Sequence, residues 1–190
     1  MKPLLITIIL FFSMNCFSQT SRKFRTLPFS TKMKTYTNVK LGISSSHIRY
    51  KTSNSDIDNP NQWVGITFDK PFSYNNSIEF GVLFCYFESN HFLELPVLYK
   101  FFISRKTNLS AGVSPNILVD ALSPLPLENY SKTNVFGFSG LIGIQHYYSK
   151  KWFLELYYSR GFKTQFEQED LNLINGVRDT YRIGIGYVIF

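Results

Sequence analysis

Bulky apolar residues alternate with small or polar ones along most of the chain, and no stretch of useful length repeats with a helical period. Eight segments carry the two-residue period of a half-buried strand: 35–48, 62–70, 77–88, 91–103, 108–119, 134–148, 152–162 and 178–190. One face of these segments is large and apolar. It holds Ile78, Phe80, Val82, Phe84 and Tyr86, then Leu93, Leu95, Val97, Tyr99 and Phe101. Further on it holds Phe136, Phe138, Ile142 and Ile144, then Trp152, Leu154, Leu156 and Tyr158. The last segment, "YRIGIGYVIF", adds Tyr181, Ile183, Ile185, Tyr187 and Ile189, with aromatics gathering toward segment ends.

The other face is polar and short. Ten of the 11 glycines fall within the eight segments, and nine of those ten, all but Gly140, share the polar face. Glycine is depleted in ordinary strands, so a reason is needed. A water-facing surface gains nothing from missing side chains. The interior of an eight-stranded barrel does, because its lumen is only just wide enough for side chains. A soluble, lipocalin-like barrel with the apolar face inward would instead carry long charged side chains outside. Here that face is rich in Gly and Ser. The pattern therefore predicts an all-β fold: an eight-stranded antiparallel up-and-down transmembrane β-barrel over residues 35–190, apolar face outward. Closure of the last strand against the first leaves no edge in hydrocarbon.

Connection lengths support one orientation. The segments "PFSYNN" (71–76), "RKTN" and "SKK" (149–151) are short, while 51–61, 120–133 and 163–177 are long; the fourth connection of that end, at Ser89–Asn90, is tight. Short periplasmic turns and longer outside loops characterise outer-membrane barrels.

The first residues, "MKPLLITIILFFSMNCFSQ", have one early cation and an apolar run too short to span a bilayer. Cys16 and Ser18 stand at −3 and −1 from a cut before Gln19, which predicts residues 1–18 as a cleaved signal peptide. A lipoprotein reading would lipidate Cys16, preceded by Met14 and Asn15. Residues 19–34 form a basic periplasmic lead-in, either a solvated linker or a contact with an anionic membrane surface. The mature chain keeps a single cysteine, Cys85, and so no internal disulfide. Aromatics reach 17% of the chain, with 19 Phe and 12 Tyr, as interface girdles would require.

Chemistry is sparse. His47, His91 and His146 are the only histidines, and none has a second ligand at metal spacing. Neither a nucleotide loop nor a nucleophile elbow is present. The +7 formal charge is not organised with stacking aromatics for nucleic acid. No catalytic residue, cofactor or metal ligand is assigned. The polar face carries Lys40, Glu79, Glu94, Lys100, Glu155 and Arg182. Unpaired charges could not stay buried there, so these six are read as a structural ion network in the lumen. A tight turn at Ser89–Asn90 would set Phe87 against Phe92, Leu83 against Pro96, Gly81 against Leu98 and Glu79 against Lys100. Lys40 and Glu155 would complete a neutral layer of two positive and two negative charges.

Several segments resemble the PorT-like outer-membrane β-barrel domain of Gram-negative bacteria. "FLELPVLYKFF" (92–102) looks like its fourth strand, and "LSAGVSPNILVD" (109–120) its fifth. "FGFSGLIGIQHYYSKKWFLELYYSRGF" (136–162) is similar to the following strand-turn-strand, and "YRIGIGYVIF" to the closing strand. One departure is Ile189, where such closing strands usually place an aromatic; Phe190 follows. The resemblance implies an outer-membrane location and eight strands, and little about activity. The namesake group is associated with a protein-secretion apparatus. Two function classes follow: a non-enzymatic structural, interaction or secretion-accessory barrel, or a lipid-modifying barrel enzyme of the lipid A acylase or deacylase kind. Expected partners are outer-membrane lipid and lipopolysaccharide, and a protein reached through loops 120–133 and 163–177. The first loop sets Leu122, Leu125 and Leu127 around Pro124 and Pro126. The second carries Glu167, Glu169 and Asp170, suited to cations that bridge lipopolysaccharide.

Overall fold

Period-two alternation becomes strand nearly everywhere. The computed structural model describes residues 34–49, 54–87, 90–119, 132–168 and 173–189. Residues 1–18, expected as a signal peptide, and most of the expected basic lead-in lie outside these residues, as do positions 120–131 of the expected loop 120–133. The elements are β1 (Tyr36–Arg49), β2 (Asn54–Pro71), β3 (Asn76–Phe87), β4 (Asn90–Glu94) and β5 (Val97–Phe102). They continue with β6 (Thr107–Leu118), β7 (Lys132–Thr133), β8 (Phe136–Tyr147), β9 (Trp152–Gly161), β10 (Phe166–Gln168) and β11 (Leu173–Val188).

Eight antiparallel staves close into a barrel: β1, β2, β3, β4 with β5, β6, β8, β9 and β11, the last pairing with β1. The fourth stave is split because Pro96 has no N–H for the ladder. Pairing continues across the break, with Gly81 N–H donating to the Pro96 carbonyl at 3.2 Å and Leu95 N–H to that of Pro115 at 2.9 Å. The short β7 and β10 pair with one another beside β11 at the long-loop end.

Cross-strand partners lead around the wall from Tyr36 through Asp69, Glu79, Leu98 and Gly112. They go on through Leu141, Ser159 and Thr180 and re-enter β1 at Ser46, ten residues further along. Eight strands with that stagger tilt by about 40° on a cylinder of roughly 8 Å radius. Each residue then rises about 2.5 Å along the axis. The outward run from Ile78 to Tyr86 covers about 20 Å, and the stagger of neighbouring staves widens the apolar wall to roughly 25 Å. Outward positions in that wall are open: Leu41 is 58% exposed, Ile142 61% and Leu156 53%.

So narrow a lumen explains the glycines. Across the ladder, Gly42 faces Trp63, Gly65 faces Leu83 and Gly112 faces Leu98. Likewise Gly143 faces Tyr157, and Gly186 faces Phe153. A Cβ added at Gly186, Gly143 or Gly65 would run into the facing side chain, and one at Gly184 into the Trp63 ring. Each large inward side chain occupies the space its partner vacates. Gly140 is the outward exception, lying beneath the exposed ring of Phe162.

Three expectations need correction. Residues 54–61, expected as loop, belong to β2, which is 18 residues long. The last strand begins at Leu173, so much of the expected loop 163–177 is β10 and β11. Both stretches were hidden by weak alternation, since a strand that rises beyond the apolar wall has no apolar face to show. The third concerns register. Phe87 pairs with Asn90, Leu83 with Glu94 and Glu79 with Leu98, two residues away from the expected partners. The ladder closes earlier than a turn centred on Ser89–Asn90 would require. A shift of two keeps every side chain on its face, so the sidedness is unaffected.

At Gly112 the atoms a Cβ would meet are all backbone, the Val97 carbonyl and the Leu98 Cα, whereas at Gly140 the two nearest are the tip of a movable ring and the Gly112 carbonyl lies at an ordinary 4.0 Å. Gly112→Ala should destabilise the folded barrel by about 1–3 kcal/mol, like other overpacking changes. Gly140→Ala should stay within about 0.5 kcal/mol. Urea unfolding in detergent micelles, followed by tryptophan emission, measures both.

Candidate functional site

Strand parity sends Lys40, Asp69, Glu79, Lys100 and Glu155 into the lumen near the short-turn end. None exceeds 4% exposure. They form one continuous chain. Glu155 accepts from Lys40 Nζ at 2.9 Å, and Lys40 Nζ also reaches Glu79 at 2.7 Å. Glu79 is shared with Lys100 Nζ at 2.5 Å, which in turn holds Asp69 at 2.7 Å. Gln145 Nε2 donates to Glu155 at 2.7 Å, and Asn108 Nδ2 donates to Gln145 Oε1 at 3.2 Å. The Lys40 ammonium also sits 5.5 Å from the Phe153 ring centroid and 5.8 Å from that of Tyr157. Glu79 and Lys100 meet on a diagonal, because Lys100 is directly opposite Ser77. Long side chains reach such neighbours.

A second cluster lies toward the other mouth. Arg178 and Arg182, from β11, both grip the carboxylate of Glu94 on β4. The Arg178 guanidinium stacks 3.8 Å from the Phe92 ring centroid. Between the clusters lies an apolar plug of Leu98, Leu141 and Tyr157. Trp63 and Leu83 flank the void that Lys40, Glu79 and Arg182 also line, and the space there open to water centres is about 10 Å³. That is room for about one water molecule. The described lumen is a filled core without a channel.

All six expected network residues are in the lumen, four in the lower cluster and Glu94 and Arg182 in the upper one. Asp69 and Arg178 were missed. Both were legible by parity: Asp69 shares a face with Gly65, and Arg178 with Arg182 and Gly184. Asp69 also replaces the expected two-plus-two layer with three acids and two bases. The surplus negative charge is matched by the upper cluster, with two arginines on one carboxylate.

The histidines lie apart. His146 Nδ1 is 2.9 Å from Thr107 Oγ1 near the short turns. His91 sits against Phe84 and Tyr86, with centroids 5.6 and 4.9 Å away. His47 pairs across the ladder with Asp179, two residues from Ser45 on the outer wall at the long-loop end. The Asp179 carboxylate accepts from Gly161 N–H at 3.1 Å and pairs with Arg49 at 3.4 Å. Among the described residues, no three His, Cys, Asp or Glu side chains are grouped to hold a metal.

No family model matches the chain, and no curated protein matches it in sequence. Solved structures do. Ail, the attachment invasion locus protein of Yersinia pestis, is 14% identical with a TM-score of 0.51, covering 83% of this chain and 100% of that one. Neisserial surface protein A is 11% identical with a TM-score of 0.50, covering 80% of this chain and 96% of the other. At such identities the shared feature is the fold, a closed antiparallel barrel of eight strands.

Glu79 bridges two lysines, whereas Asp69 serves one. Glu79→Gln should destabilise the barrel by about 3–5 kcal/mol, since it leaves buried positive charge uncompensated. Asp69→Asn should cost less. Adding Lys100→Met to Glu79→Gln should recover part of the loss, and a double-mutant cycle from urea midpoints would read the coupling.

Proposed function

We propose that the chain is an outer-membrane barrel with a non-enzymatic role, as a structural or interaction protein or an accessory of protein secretion. One observation carries the reading: a closed barrel with a filled lumen exposes a continuous apolar wall of about bilayer height. Such a wall in water would aggregate, whereas in lipid it is the favourable surface. The fold likeness to Ail, described as an outer membrane protein, supports the location. The PorT-like resemblance supports the secretion-accessory variant. The filled lumen argues against a diffusion pore, so contact with partners falls to the long-loop mouth. We assign lipopolysaccharide and a protein partner to that mouth, through segments 120–133 and 163–177.

The tests are direct. The protein should fractionate with the outer membrane, migrate faster on gels before boiling than after, and begin at Gln19 in its mature form. In planar bilayers it should give no large steady conductance. Recovery as a soluble periplasmic protein would refute the reading. The second reading, a lipid-modifying enzyme, would need Ser45, His47 and Asp179 to act together; the ladder sets His47 opposite Asp179, whose carboxylate is taken up by Gly161 N–H and Arg49. It requires release or transfer of acyl chains from labelled lipid by the purified barrel, lost in His47→Ala.

A further inference from the structure

Among the described residues, the exposed side-chain charge at the short-turn end is of one sign. Lys34, Lys70, Arg105, Lys106, Lys150 and Lys151 are all exposed there. The acidic side chains described are buried: four in the lumen, and Asp179 at the opposite end. In sequence, the remaining acids fall between β1 and the middle of β2, between β3 and β4, between β6 and β8, and between β9 and β11. Those are the connections of the other mouth.

Four of the six cations sit on short turns closed by a serine. Two short turns share the pattern Ser-(Arg/Lys)-Lys. In one, Ser104 Oγ accepts from the N–H groups of Lys106 and Thr107 at 3.2 and 3.1 Å. In the other, Ser149 Oγ accepts from those of Lys151 and Trp152 at 3.2 and 3.0 Å. A serine that closes its own turn fixes the two basic residues at the tip. The six cations belong to the start of β1, the end of β2, the β5–β6 turn and the β8–β9 turn, so they encircle the barrel. Exposed aromatics share their level: Phe72, Tyr74, Tyr148 and Trp152. Lys151 Nζ donates to Tyr187 OH at 3.2 Å and lies 5.6 Å from that ring's centroid. The Trp152 ring is 4.8 Å from the same Tyr187.

We propose that this collar binds the phosphate groups of anionic phospholipids in the leaflet facing the short turns. The inference rests on the membrane-spanning reading above. A docked protein would engage one sector. A collar that surrounds the wall, at the level where an aromatic girdle meets headgroups, fits the lipids that surround the wall. The collar selects anionic lipid for the annulus and fixes the depth of the barrel.

The two tryptophans supply the test. Trp152 is exposed at the collar, whereas Trp63 is enclosed in the lumen at 3% exposure. The folded barrel is reconstituted in mixed phosphatidylcholine and phosphatidylglycerol vesicles, with one lipid brominated near the carbonyl end of its acyl chains. Brominated phosphatidylglycerol should quench Trp152 with a several-fold preference over brominated phosphatidylcholine. The preference should fall toward unity in 0.5 M salt (roughly a 4 Å screening length) and in Lys150→Gln with Lys151→Gln. Heat-modifiable migration confirms that the variant is folded, and the salt arm needs no variant. Equal quenching by the two lipids in the native protein overturns the proposal and leaves an acidic protein as the collar's partner. A preference undiminished by salt and by the variant overturns it too. Absence of quenching by either lipid would instead overturn the membrane-spanning reading on which it rests.

Discussion

A strand edge in hydrocarbon leaves backbone N–H and C=O groups with no partner, and pairing β1 with β11 removes that edge. The other features of the barrel follow from this closure. Eight strands at the observed stagger define a cylinder of roughly 8 Å radius, too narrow to hold a large residue at every inward position. Hence glycine stands opposite Trp63, Leu83, Leu98, Phe153 and Tyr157. Once those side chains fill the core, little water remains. Charges left inside must then find one another.

Ion pairs of this kind are costly to bury, and replacing them with well-packed apolar residues often raises stability. Their value here is geometric. Lys40 on β1 reaches Glu79 on β3 and Glu155 on β9, and neither strand is its ladder neighbour. Glu94 on β4 is held by two arginines from β11. These contacts cross the lumen, while the hydrogen-bond ladder links only adjacent staves. A slip of one residue in any of these strands would turn its charge toward lipid. The clusters therefore brace the register from inside.

How much could be read from the sequence depended on where a strand sits relative to the apolar wall. Within the apolar wall both faces are constrained, and the alternation of Ile78, Phe80, Val82 and Phe84 with Glu79, Gly81 and Leu83 gave the sidedness directly. The glycines told inside from outside. Beyond the wall both faces are wet, so "SNSDIDNPN" looks like loop although most of it is strand. Faces constrain register only modulo two, which is why the shift between β3 and its partner was invisible to the pattern. Diagonal reach still brought Glu79 to Lys100. Asp69 and Arg178 stood at segment ends, where the alternation was already fading. The expected leader and most of the expected basic lead-in fall outside the described residues.

The strands that outrun the wall do not do so evenly. β2, with 18 residues, and β11, with 16, climb well past the apolar band on either side of β1, while β3 ends at Phe87, close to its upper edge. At about 2.5 Å of rise per residue, Asn54 stands roughly 15 Å above the top of the apolar band. Among the described residues, the long-loop mouth therefore stands taller at β1, β2 and β11 than at β3. Anything that settles there meets a standing sheet from the side as well as a floor beneath. That asymmetry among the described strands sets one arc of the cylinder apart from the rest.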